Sequence, residues 1–204
     1  MLRKLLTTLG ALVFRRPAAA GPPREALSAP DNSNEGGRRM NAAYEKLIQH
    51  FEEHDISYLP SADHGSLCAD FRGDAGSYRI VATVDAEGSL FQVYGYTPLR
   101  VPVGSRPAIG ETIARANFGL KVGKFELDFD EGDLRFQAAQ ILANDSLEDE
   151  TIRRLIGTAI TMLDTYLPAV LSVIYGNELP QDAIRCAEAR PSDSDGTSPQ
   201  QAEE

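Results

Sequence analysis

The stretch that most constrains the fold is Asn117 to Gln137, NFGLKVGKFELDFDEGDLRFQ. Phe125, Leu127 and Phe129 alternate with Lys124, Glu126 and Asp128, and Leu134 and Phe136 then alternate with Arg135 and Gln137. Successive side chains of a strand point to opposite faces, so each run predicts one buried face and one wet face. Asp130-Glu131-Gly132-Asp133 between them supplies a glycine for the positive φ that hairpin turns often need. A two-stranded hairpin follows, entered from a helix that ends near Asn117.

Upstream, Tyr44, Leu47, Ile48 and Phe51 recur at helical spacing to about residue 54, which predicts a short amphipathic helix. Three strands are expected next, at Leu67 to Arg72, Tyr78 to Val84 and Leu90 to Thr97. The turns between them are short, so the strands form an antiparallel meander. Pro98, Pro102 and Pro107 argue against regular structure until Ile109. A second helix is expected from Gly110 to Leu120, with Ile113, Ala116, Asn117 and Leu120 along its apolar stripe. After the hairpin, Ser146 is placed to cap a third helix whose stripe runs from Leu147 to Ile174, with Glu148, Asp149 and Glu150 opposing the helix dipole. Pro168 predicts a kink or break near Asp164. The order is α-β-β-β-α-β-β-α, an α+β fold with an antiparallel sheet and helices on one side.

The chain has 204 residues and a formal net charge of -10, which suits one core and argues against nucleic acid as a partner. Residues 1–40 hold seven Arg/Lys against three Asp/Glu, or +4, which leaves -14 for the remainder. Their apolar run, Leu5 to Phe14, is too short to span a membrane, and Arg15-Arg16 spoils its likeness to a secretory signal. Glu35-Gly36-Gly37 can be encoded by a ribosome-binding sequence just before Met40, so residues 1–40 read as a disordered leader or a mis-assigned start. The domain is expected over 41–180 and a disordered acidic tail over 181–204, where Pro, Ser, Asp, Gln and Glu come to dominate. Cys68 and Cys186 form no disulfide framework, which points to reduced thiols in the cytoplasm.

Several constellations suggest chemistry. His50-Phe51-Glu52-Glu53-His54 matches H-x-x-E-H, in which two imidazoles one helical turn apart hold zinc and a glutamate activates water. The apolar stripe, however, leaves His50 and His54 on its flank and Glu53 in solvent, and His64 alone remains as a third histidine. Asp63, His64, Ser66 and Cys68 are too close along one strand to converge as a nucleophile and base. Asp128, Asp130, Glu131 and Asp133 lack the spacing of a calcium loop and read as a solvated turn. Neither glycine-rich phosphate-binding motif occurs, and no cofactor is expected. Asn117 interrupts an apolar stripe, and a buried amide there needs backbone partners at the helix end and the adjoining strand.

The run N-x-x-L-K-V-G-K-F-E-L-D, followed by G-D-L-R-F-Q and a Pro-containing last helix, resembles the YbjN family, described as bacterial sensory transduction regulators. Asn117, Gly123, Phe125, Glu126, Asp128 and Leu134 stand at the positions of the family's hairpin motif. Leu163, Asp164, Tyr166 and Pro168 resemble its terminal helix, and the likeness covers roughly Asn41 to Gly176. It implies a fold similar to type III secretion chaperones, which commonly dimerise and hold an extended partner, and it brings no enzymatic activity.

Two functions are therefore expected in competition. One is a non-enzymatic protein-binding module, a homodimer holding a protein or peptide through Phe91, Val93, Tyr94 and Tyr96 on the third strand and Ile113 and Leu120 on the middle helix. The other is a zinc-dependent hydrolase using His50, Glu53 and His54.

Overall fold

The computed structural model describes residues 41–61, 65–143 and 146–189. The readings placed on residues 1–40, on Asp63 and His64, and on the tail from 190 onward lie outside them. The order is α1 (Ala42–Glu53), β1 (Leu59–Pro60), β2 (Ser66–Arg72), β3 (Ser77–Val84), β4 (Leu90–Arg100), α2 (Arg106–Gly119), β5 (Lys124–Leu127), β6 (Asp133–Ile141), α3 (Asp149–Tyr175) and α4 (Pro180–Glu188). Among the described residues all pairings are antiparallel, in one six-stranded sheet ordered β1-β2-β3-β4-β6-β5. The α+β class expected from the sequence is the one observed.

Alternation decides which face of the sheet is covered. Leu67, Ala69 and Phe71 of β2, Tyr78, Ile80, Ala82 and Val84 of β3, Phe91 and Val93 of β4, and Leu134, Phe136 and Ala138 of β6 are buried together under the helices. The intervening residues face away from that layer. α3 lies across β4 and β6, and at Gly95 it comes so close that a Cβ would stand 2.7 Å from Leu163 Cδ1. A glycine in mid-strand is thus required by the helix above it. α3 is long and apolar enough to cross a membrane, but 50% of its most apolar stretch is buried in the fold. It is the core helix.

Several local expectations are corrected. β4 runs through Pro98 to Arg100, because pairing with β3 ends at Tyr96 and the register with β6 shifts between Tyr96 and Arg100. The missing N–H of Pro98 falls where β3 asks for no donor. α2 begins at Arg106, with Pro107 in the first turn where helix donors have no partner anyway. Phe129 lies in the hairpin turn and is exposed instead of continuing the buried face, and Ser146 is replaced as cap by Glu148. α3 passes through Pro168 as one 27-residue helix, because Leu163, Tyr166, Leu167, Ala169 and Val170 pack on both sides of the proline.

The largest correction is at the C-terminus. Pro180–Glu188 is a helix with Ala183 and Ile184 buried, so residues 181–188 belong to the packed body. α4 lies on α2 and α3, and the Tyr166 hydroxyl donates to Glu188 Oε1 at 3.0 Å. Burial, reinforced by that carboxylate, raises the Tyr166 pKa to about 12.

Candidate functional site

The outward face of the sheet is built by the residues that alternate with the core. Tyr94 and Tyr96 lie there on β4, opposite Gln137 and Arg135 of β6. Arg135 is paired in turn with Glu126 of β5. These side chains form a connected group. The Arg135 guanidinium sits 4.6 Å from the Tyr94 ring centroid, donates to the Tyr96 hydroxyl at 3.1 Å and holds Glu126 Oε2 at 2.7 Å. Lys124 reaches Glu126 Oε1 at 2.7 Å. Burial works against the Glu126 carboxylate, but the bonds from Lys124 and Arg135 outweigh it and hold its pKa below the usual glutamate range. Two aromatic rings are thereby fixed, half-exposed, around a polar centre in which two cations share one carboxylate.

Beside this group lies a recess of about 530 Å³, lined by Tyr96, Ile113, Phe125, Glu126, Leu127, Asp128, Asp133 and Arg135. It brings together Tyr96 of the strand and Ile113 of α2, two of the expected contact residues. Leu120 sits half-buried at the end of α2 beside Phe118, which is 96% exposed. Phe118 was not among the sequence candidates. Its signal was present, since it is an aromatic lying off the helix's apolar stripe. Arg135 was missed as well, because a basic residue on a strand's wet face is ordinary until its cross-strand neighbours are known.

Phe91 and Val93 are corrected. They are 0% exposed on the face beneath the helices, so they support the core and cannot meet a partner. The density of aromatic and β-branched residues in this strand came from both faces at once.

The hairpin motif is structural in its contacts. Asn117 Nδ2 donates to the Phe125 carbonyl at 3.0 Å, and the Phe125 N–H donates to Asn117 Oδ1 at 2.7 Å. One amide thus occupies both main-chain groups that Phe125 turns away from β6. Gly123 has φ +76, and a Cβ there would lie 2.7 Å from the Gln137 carbonyl. Phe125 stacks edge-on with Phe136 and Tyr166. Asp128 accepts from the N–H groups of Asp130 and Glu131 at 2.7 and 2.9 Å, which occupies it as a turn former. Asp164 on α3 does similar work for the β2–β3 turn, accepting from the N–H groups of Asp74 and Ala75 and from the Tyr78 hydroxyl, the last at 2.6 Å. The Tyr78 pKa is pushed up by burial and by that carboxylate.

His50 is not on a flank. It is 3% exposed, because the start of α3 closes over it and Asp149 Oδ1 meets its Nδ1 at 2.9 Å. His54 Nδ1 is bound to the His50 carbonyl at 2.9 Å, and Glu53 points to solvent. Among the described residues no three His, Cys, Asp or Glu side chains converge as a metal site.

Among curated proteins no relative matches. Solved structures do. One is YbjN from E. coli, called "a putative transcription regulator", at 11% identity and TM-score 0.45 over 66% of this chain and 93% of that one. Another is the HopA1-SchA chaperone-effector complex, at 14% identity and TM-score 0.38 over 58% of this chain and 88% of that one. A family model described as "Putative bacterial sensory transduction regulator" matches residues 43–172, the span that holds the sheet, the Asn117 latch and the Asp164 contacts, and the chain belongs to this YbjN family.

Proposed function

We propose that the protein is a non-enzymatic regulatory or chaperone-like module that holds a partner polypeptide on the open side of its sheet and acts as a homodimer. One observation carries the reading: the helices pack on a single face, and the opposite face presents Tyr94 and Tyr96, pinned by Arg135, next to a recess that reaches Ile113. Rigid aromatic rings with a polar handle bury much area at small entropic cost, which is what a polypeptide partner needs. Phe118, exposed on α2, and Leu120 at its end are further candidate contacts outside the lining of the recess. Cys68 and Cys186 both stand as free thiols, and the reading keeps the protein in the cytoplasm.

The test is affinity capture of the full chain from its native cell, with Tyr94→Asp as comparison. A reproducible protein partner retained by the native chain and lost with Tyr94→Asp is expected. A partner held equally by both would remove the sheet face from the reading. Sedimentation at several concentrations tests the homodimer, and a monomer throughout would refute that part.

A further inference from the structure

His50 is a buried titratable side chain that the partner surface does not use. It lies on the inner side of α1 with Leu47 and Phe51, and its polar connection runs to another element. Asp149, in the first turn of α3, holds His50 Nδ1 with Oδ1 at 2.9 Å and Lys46 Nζ with Oδ2 at 2.7 Å. A carboxylate only accepts, so the neutral imidazole carries its hydrogen on Nδ1. Acid must therefore add the second proton at Nε2. Among the described residues, the titratable and charged groups facing it are His54 and Lys46 from α1 and Asp149 and Arg153 from α3. Asp149 is the one anion among them, and Lys46 already shares it. The His54 ring lies 4.3 Å away, centroid to centroid, so a second positive charge there would repel the first.

We propose that α1 is a proton-released clamp: uptake of a proton at His50 in mildly acidic conditions loosens α1 from the start of α3 and uncovers the apolar surface beneath Leu47 and Phe51. Burial depresses the His50 pKa, with His54 and Arg153 adding to the effect and Asp149 opposing it. An undocked, solvated His50 binds its proton more readily than the docked one. Docking is therefore strongest above the solvated value of about 6.5 and weakens as pH falls below it.

Hydrogen exchange on the full chain at pH 7.5 and 5.5, corrected for intrinsic rates, tests this. Opening of α1 relative to β3 and β4 is expected to rise by up to about tenfold between the two conditions, and the rise should vanish in His50→Gln. An equal change in helix and sheet, or persistence of the rise in His50→Gln, would overturn the proposal. Should that variant not fold, the His50 imidazole of the native chain is titrated by NMR. A midpoint below about 6.5 is required, and one at or above it would overturn the proposal.

Discussion

Asn117 is the residue whose chemistry is most fully used. Its amide offers one donor and one acceptor at the spacing of a peptide group, and Phe125 receives both. β5 is an edge strand, and edges invite pairing with other chains. The side chain therefore stands where a neighbouring strand would otherwise bind. Asn117→Ala should cost about 1–3 kcal/mol, since two main-chain groups lose partners, and should increase self-association. Urea unfolding with light scattering would register both. Asn117→Asp keeps an acceptor for the Phe125 N–H but sets a carboxylate oxygen against the Phe125 carbonyl, acceptor facing acceptor, so its loss should be at least as large.

Among the elements, α4 adds most to what could be expected. It lies beyond the span matched by the family model, yet it buries Ala183 and Ile184 against α2 and α3. A chain ending at Gly176 should lose about 2–4 kcal/mol from the apolar surface it leaves open, visible as a lower thermal midpoint. Its sequence, PQDAIRCAE, has few apolar residues and a composition shading into that of a tail, so it was not legible as a packed helix. The meander, the hairpin and the core helix were legible, because period-two and helical patterns there extend over whole elements. Phe129 and Pro98 show where pattern fails: a turn takes Phe129 out of the alternation, and the end of β3 pairing lets a proline remain in a strand. The site was half legible for a related reason. Tyr94 and Phe91 are equally aromatic in the sequence, and only the position of α3 says which face is free.

At the scale of the whole molecule, acid should act in two stages. Bonds from Lys46 and His50 hold the Asp149 carboxyl below the usual aspartate range, and Lys124 and Arg135 do the same for Glu126 against the effect of burial. Unfolded carboxylates take up protons first as pH falls past about 4, so the stability these groups contribute is present above that value and is lost below it. Thermal unfolding across pH should show a shallow decline below about 6.5 from His50 and a steeper one below about 4 from the carboxylates. His50→Gln should remove the first and leave of the second the part sustained by Lys46, Lys124 and Arg135.

The strand order carries a kinetic consequence as well. β2, β3 and β4 pair with their neighbours in sequence, and so do β5 and β6, but the β4–β6 seam closes a loop that contains all of α2 and β5. Local hairpins form early and cheaply, whereas a non-local seam must meet its closure entropy before its contacts reward it. The last large barrier to folding should thus be the joining of two preformed halves along Leu90 to Tyr96. Gly95 lies on that line, where α3 must also settle, so sheet closure and helix docking amount to one event.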